Sequence, residues 1–109
     1  MEISRGDLVT VAIPGDYGKP RPALVVQADA FQVLDSVTIL RLTSDLRTSP
    51  LLRISVEPSR ENGLRARSQI MIDKATTVRR AKIGQRIGRI EANIMRQVNA
   101  ALARFLDLE

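Results

Sequence analysis

The feature that most narrows what this chain can fold into is a change of apolar period at Ile90. Before it, apolar residues come in short runs separated by turn-forming residues. After it, Ile90, Ile94, Val98, Ala101, Leu102 and Phe105 recur at three- and four-residue steps. That second pattern is one apolar face of an α-helix and predicts a helix over residues 91–106. Glu91 near its start and Arg104 near its end complement the helix dipole. The short runs predict strands at 8–13, 23–27, 36–42, 52–56 and 68–73, the last with a possible continuation through 76–78. A sixth, bent strand is predicted over 82–90, where Gly84 and Gly88 interrupt a weak alternation. Residues 14–20 hold two prolines and two glycines and form a loop. Thr43-Ser44-Asp45 stops the third strand, and Asn62-Gly63 marks a turn. The run Ala23-Leu24-Val25-Val26 is apolar throughout, as in a strand buried on both faces. The fold class that follows is mainly β (α+β): a small, strongly bent antiparallel sheet closed by one C-terminal helix.

At 109 residues the chain is read as one domain, residues 1–109. It has no cysteine, which excludes a disulfide framework and a cysteine metal cluster. It has no histidine, which removes the usual zinc ligands and any Ser–His or Cys–His nucleophile pair. Chemistry, if any, falls to Arg, Lys, Asp, Glu, Ser, Thr and Tyr. No apolar run approaches the roughly 18 residues of a membrane span. Met1-Glu2-Ile3-Ser4-Arg5-Gly6-Asp7 lacks the pattern of a signal peptide. These features lead us to expect a cytoplasmic protein without a membrane partner.

The net charge of +5 is unevenly spread. Residues 60–89 carry nine Lys/Arg against Glu61 and Asp73, a net of +7, and the flanking segments are each −1. A concentrated positive field draws polyanions, so nucleic acid or an acidic protein is one reading. A solvated face with spaced arginines is the other.

Three positions stand out chemically. Arg21 lies between Pro20 and Pro22, after the Gly/Pro loop and before a buried strand. Both prolines restrict its backbone, which holds a guanidinium where it can fork onto a phosphate. Pairing with Asp16 or Asp7 in a rigid turn is the alternative. Thr43-Ser44 places two hydroxyls at a strand end, either as a cap or as donors to a phosphate oxygen. Asp73 follows Ile70-Met71-Ile72 and precedes Lys74, either as a proton acceptor or as the partner of a nearby cation. Tyr17, Phe31 and Phe105 are the only aromatics, so the chain has no stacking platform, although Tyr17 can stack one base. The glycines form neither a phosphate loop nor a dinucleotide fingerprint.

Taken in order, Arg5-Gly6-Asp7, a Gly/Pro loop, Arg21-Pro22-Ala23-Leu24-Val25-Val26, Leu42-Thr43-Ser44, Ile72-Asp73-Lys74-Ala75-Thr76-Thr77-Val78 and a closing helix resemble the MazF/PemK family of toxin endoribonucleases. The resemblance covers nearly the whole chain. It implies an SH3-like or CcdB-like barrel, usually a homodimer, that cleaves single-stranded RNA such as mRNA with no metal and no cofactor. It also implies a cognate antitoxin whose acidic tail covers the RNA groove. Carried over by position, Arg21 acts on the scissile phosphate, Thr43 holds it, and Asp73 is a general base in some members. Asp16, Tyr17, Lys19, Ser44, Lys74 and Arg79 are then RNA-contacting positions, with base choice in loops 14–20 and 44–52. Met71 departs from the pattern, because those members carry arginine two residues before the aspartate. The first loop is short and lacks the usual Glu or Gln, with Asp16 or Lys19 as substitutes. A gyrase poison of the CcdB kind and an inactive RNA-binding homologue are the alternatives.

Overall fold

The computed structural model describes residues 2–15 and 19–108. Six strands form one sheet: β1 (Asp7–Val11), β2 (Arg21–Val25), β3 (Ser36–Thr43), β4 (Arg53–Val56), β5 (Ser68–Arg79) and β6 (Ile83–Arg89). One helix, α1 (Ala92–Phe105), follows. The spatial order is β4-β5-β3-β2-β1-β6 and every pairing is antiparallel. The mainly-β expectation with a C-terminal helix therefore holds. The continuation at 76–78 is part of β5, a single strand of 12 residues. Short 3-10 turns at Asp29–Phe31 and Arg80–Lys82 were not legible in the sequence.

A straight strand of that length spans roughly 36–40 Å. The molecule extends 32 × 32 × 28 Å along its principal axes. A bent β5 fits that envelope, and its register with β3 slips partway along, where a bend is expected. Leu40 pairs with Ala75 but Leu42 pairs with Ile70, so Arg41 alone faces residues 71–74. The pairing of β1 with β6 slips twice as well, between Leu8 and Val9 and between Val9 and Val11. Such irregularities curl a sheet.

The curl buries both faces. Leu8, Leu24, Leu40, Ile70 and Ile72 face one cluster, beneath Val98 and Ala101 of α1 and Ile54 and Val56 of β4. Val9, Val11, Ala23, Val25, Val37 and Ile39 face a second, closed by Ile3, Ile13, Val78 and Ile83. Consecutive residues such as Leu8 and Val9 are both fully buried, on opposite faces. This is the two-faced burial read from the run at 23–26.

Two ties complete the closure. Asp7, only 3% exposed, has Oδ1 at 2.9 Å from Arg89 Nη1 and 3.1 Å from Arg86 Nε. Its Oδ2 accepts from the Ser4 N–H at 2.8 Å, so this buried charge is well compensated. Beside it, Arg5 Nε donates to the Val26 carbonyl and Nη2 to Asn99 Oδ1, joining β2 to α1. The second tie lies between the sheet's outer strands. The Arg89 N–H donates to the Glu61 carbonyl at 2.8 Å, so the 57–66 segment bridges β4 and β6. Gly63 sits in the left-handed region at φ 71°, where a Cβ would overlap the Ile87 carbonyl. Gly88 meets the Asn62 backbone as closely. Because both obstacles are main chain, Gly63→Ala should destabilise the protein by about 3 kcal/mol. Urea denaturation with unchanged slope and a lowered midpoint checks this.

Candidate functional site

The bend of β5 leaves a cleft of about 690 Å³ on one side of the barrel. That lies within the roughly 300–1,000 Å³ typical of ligand sites. Arg21 opens β2 at its rim, between Pro20 and Pro22. Its side chain is exposed, and among the described residues the guanidinium makes no hydrogen bond or ion pair. Thr43 ends β3 and lines the same cleft, followed by Ser44 and Asp45. Thr43 Oγ1 accepts a hydrogen bond from the Asp45 N–H at 3.0 Å. A hydroxyl that accepts there keeps its own proton available to donate. The capping reading and the phosphate-donor reading of Thr43 are thus compatible.

The sequence grouped Arg21 and Thr43 with Asp73, and the structure brings only the first two into one cleft. Asp73 is not among the lining residues. It lies on β5 inside the register slip, with Lys74 Nζ at 3.5 Å from Oδ2. Met71, two residues earlier, does line the cleft and gives it an apolar side chain there. Lys74 and Arg79 are exposed on β5 away from the lining, and Lys19 is exposed before Pro20, also outside it. Asp16 and Tyr17 lie outside the described residues.

Sequence reasoning passed over Arg41 and Gln85 and did not separate Arg65 from its neighbours. All three line the cleft. Arg41 interrupts the apolar run of β3 between Leu40 and Leu42, which was the one signal the sequence offered for it. Arg65 was hidden in a run of nine bases whose members scatter. Arg86 and Arg89 pair with Asp7, Arg67 with Glu57 and Lys74 with Asp73. Arg80 donates to the carbonyls of Leu34 and Gln32. Of that run, only Arg65 reaches the cleft. Among the described lining residues, three are arginines, Arg21, Arg41 and Arg65, and one is a carboxylate, Asp45, which Arg47 Nη2 pairs at 3.0 Å.

Gly63 to Ala66 form one wall, and Asn62 behind them is fully buried. Asn62 Oδ1 accepts from the N–H groups of Ser59 and Leu64, each at 3.0 Å. Its Nδ2 donates to the Glu57 carbonyl at 2.8 Å and to Glu91 Oε1 at 3.2 Å. The Ser59 hydroxyl donates to Glu91 Oε2 at 2.7 Å. Glu91, the residue before α1, therefore joins the helix start to the cleft wall. Burial is the largest influence on its carboxyl and by itself raises it. The donors outweigh burial: the Ser59 hydroxyl, the backbone N–H of Glu91 and the Asn62 amide hold the carboxyl below its ordinary value. A lowered folded-state value adds stability above the unfolded pKa of about 4.3, and that stability is lost as pH falls through the folded value. Glu91→Gln should therefore flatten the acid limb of melting temperature against pH, with the difference from wild type greatest at neutral pH.

Comparison with known proteins places this architecture in a defined group. A family model described as PemK-like, MazF-like toxin of type II toxin–antitoxin system matches residues 4–106. A probable endoribonuclease MazF of Mycolicibacterium smegmatis is 44% identical over 105 residues, covering 95% of this chain and 96% of that protein. Among solved structures, a mycobacterial endoribonuclease in complex with its cognate antitoxin superposes with a TM-score of 0.83 at 26% identity, over 99% of this chain and 98% of that one. MazF from Deinococcus radiodurans, in a MazE–MazF crystal structure, matches in fold with a TM-score of 0.81 at 20% identity, over 100% of this chain and 99% of that one. Among the described residues, no helix is long and apolar enough to cross a membrane.

Proposed function

We propose that this chain, which belongs to the PemK-like, MazF-like toxin family of type II toxin–antitoxin systems, is an endoribonuclease that cleaves single-stranded RNA in the cytoplasm. The observation that carries the reading is Arg21 and Thr43 on one cationic cleft. RNA brings its own nucleophile, the 2′-OH, so the protein need only orient it, move protons and stabilise charge. The 2′-oxygen attacks the adjacent phosphorus and the bond to the 5′-oxygen breaks. The products are a 2′,3′-cyclic phosphate, or the 3′-phosphate formed from it by water, and a 5′-OH. The guanidinium of Arg21 takes the charge that builds on the equatorial oxygens. The Thr43 hydroxyl donates to one of them, with Ser44 beside it. Arginine stays protonated, so its part is electrostatic. This chemistry needs neither histidine nor a metal ion. A gyrase poison of the CcdB kind makes no use of this pair and is not favoured.

Arg21→Ala should lower kcat/KM by at least about 100-fold with the fold intact, a loss of the size seen when one charge-stabilising donor is removed. Asp73→Asn should lose less than about tenfold, because its carboxylate stands outside the cleft lining and serves Lys74. Cleavage of a mixed-sequence RNA in EDTA, with the fragment ends identified, measures both. Uncut RNA with folded wild-type protein overturns the reading.

Two partners follow from the same reading. An antitoxin with an acidic segment suits a cleft of three arginines, and a structural relative is held by its own antitoxin. A homodimer is supported by apolar side chains left in solvent: Phe31, Val33 and Leu34 in one segment, Phe105, Leu106 and Leu108 in another. Val33 is 93% exposed, which an isolated chain has no reason to favour. Sedimentation equilibrium should give twice the chain mass of 12.1 kDa, and a concentration-independent monomer mass would refute the dimer.

A further inference from the structure

We propose that Gln69 is a positioning residue that sets which RNA sequences the cleft accepts, by holding the wall formed from Ser44 and Asp45. The proposal rests on the endoribonuclease reading above. Gln69 lies on β5 and is 7% exposed. Its amide imitates a strand neighbour for the loop that follows β3. Oε1 accepts from the Arg47 N–H at 3.0 Å, and Nε2 donates to the Arg47 carbonyl at 3.0 Å. The same Oε1 accepts from Arg53 Nη1 at 3.0 Å, and Arg53 Nη1 also donates to the Asp45 carbonyl at 3.0 Å. One buried side chain thus takes up both backbone groups of Arg47 and, through Arg53, reaches the backbone of Asp45.

Beyond these bonds the loop has the Asp45 N–H to Thr43 Oγ1 bond and the exposed Arg47–Asp45 pair, both within the loop itself and its adjoining strand end. Residues 44–48 are exposed and have no regular secondary structure, and Leu46 leaves 42% of its surface in water. Few apolar contacts and solvent-facing side chains mark a segment that opens readily unless polar bonds hold it. Yet Ser44 and Asp45 line the cleft directly after Thr43. A base is selected when the wrong one leaves polar groups unpaired against a wall that does not yield. A wall free to shift lets several bases find partners. Gln69 is therefore the counterpart of Asn62, which holds the opposite wall from behind. It touches no substrate itself. Its effect passes through the position of Ser44 and Asp45.

The test compares wild type, Gln69→Ala, Gln69→Glu and a control, Val98→Ala, on a randomised single-stranded RNA library. Val98 is fully buried on α1 and does not line the cleft, so this variant reports general destabilisation. All are assayed well below their melting temperatures. Gln69→Ala should narrow the ratio of cleavage rates between the best and the poorest sites by about tenfold or more. Gln69→Glu keeps both acceptor bonds and should restore part of the ratio. Val98→Ala should leave the ratio unchanged. In the same variants, amide exchange should show the Arg47 N–H losing protection in Gln69→Ala while the β3 amides keep theirs. A Gln69→Ala that slows every site by the same factor, or a Val98→Ala that narrows the ratio equally, overturns the proposal. So does an Arg47 amide whose protection is unchanged. A folded wild type that cuts no RNA refutes the endoribonuclease reading and this proposal with it. The wild-type lane separates that failure from the others.

Discussion

Laid straight along a principal axis, the 12 residues of β5 would overrun the molecule's 32 Å extent, and the rest of the structure depends on how the strand is accommodated. The strand bends where Arg41 faces four residues of β5. On one side of the slip β3 contributes to both apolar clusters, through Val37, Ile39 and Leu40, and on the other Leu42 and Ile70 join the cluster beneath α1. The sheet can then bury both faces in a short chain. The irregular segment also prevents the strands from packing flush. Arg41 and Met71, which lie within the slip, both line the cleft. The same distortion that closes the barrel opens the site.

A site on such a scaffold needs walls as rigid as its floor, and loops supply the walls here. Each is held from behind by a buried amide: Asn62 under Gly63 to Ala66, and Gln69 under Ser44 and Asp45. Amides suit the task because they donate and accept at once, and so satisfy backbone groups that lack a strand partner. Buried without these bonds, the same side chains would cost stability. The Asn62 network extends to Glu91, so the helix start and one cleft wall share a carboxylate. Helix packing and site geometry are therefore coupled through a few hydrogen bonds.

The charge tells a similar story of local duties. The basic stretch at 60–89 looks like one patch in sequence, but folding distributes it. Two of its arginines neutralise Asp7, Arg67 pairs with Glu57, Lys74 pairs with Asp73, and Arg80 bridges two carbonyls. The field of the cleft comes instead from Arg21, Arg41 and Arg65, drawn from β2, β3 and the 57–66 segment. Guanidiniums facing one groove are worth more to a polyanion than a larger number spread around a barrel.

The sequence by itself determined the elements and singled out two residues of the candidate site, Arg21 and Thr43. Period and turn chemistry are local properties, so six strands and a helix could be read within a residue or two at most ends. Arg21 was legible because Pro20 and Pro22 restrict it in any fold. Thr43 was legible as a strand-end hydroxyl. Only the tertiary structure decided which side chains share a cleft. Asp73 is close to Thr43 in the order of motifs, yet the bend leaves it outside, and Met71 takes the floor. Gln69 and Asn62 look in sequence like any polar residues near a turn. Their roles arise from burial beneath loops, which depends on where β5 bends and how the barrel closes. Those are properties of long-range register, and no stretch of sequence a few residues long contains them.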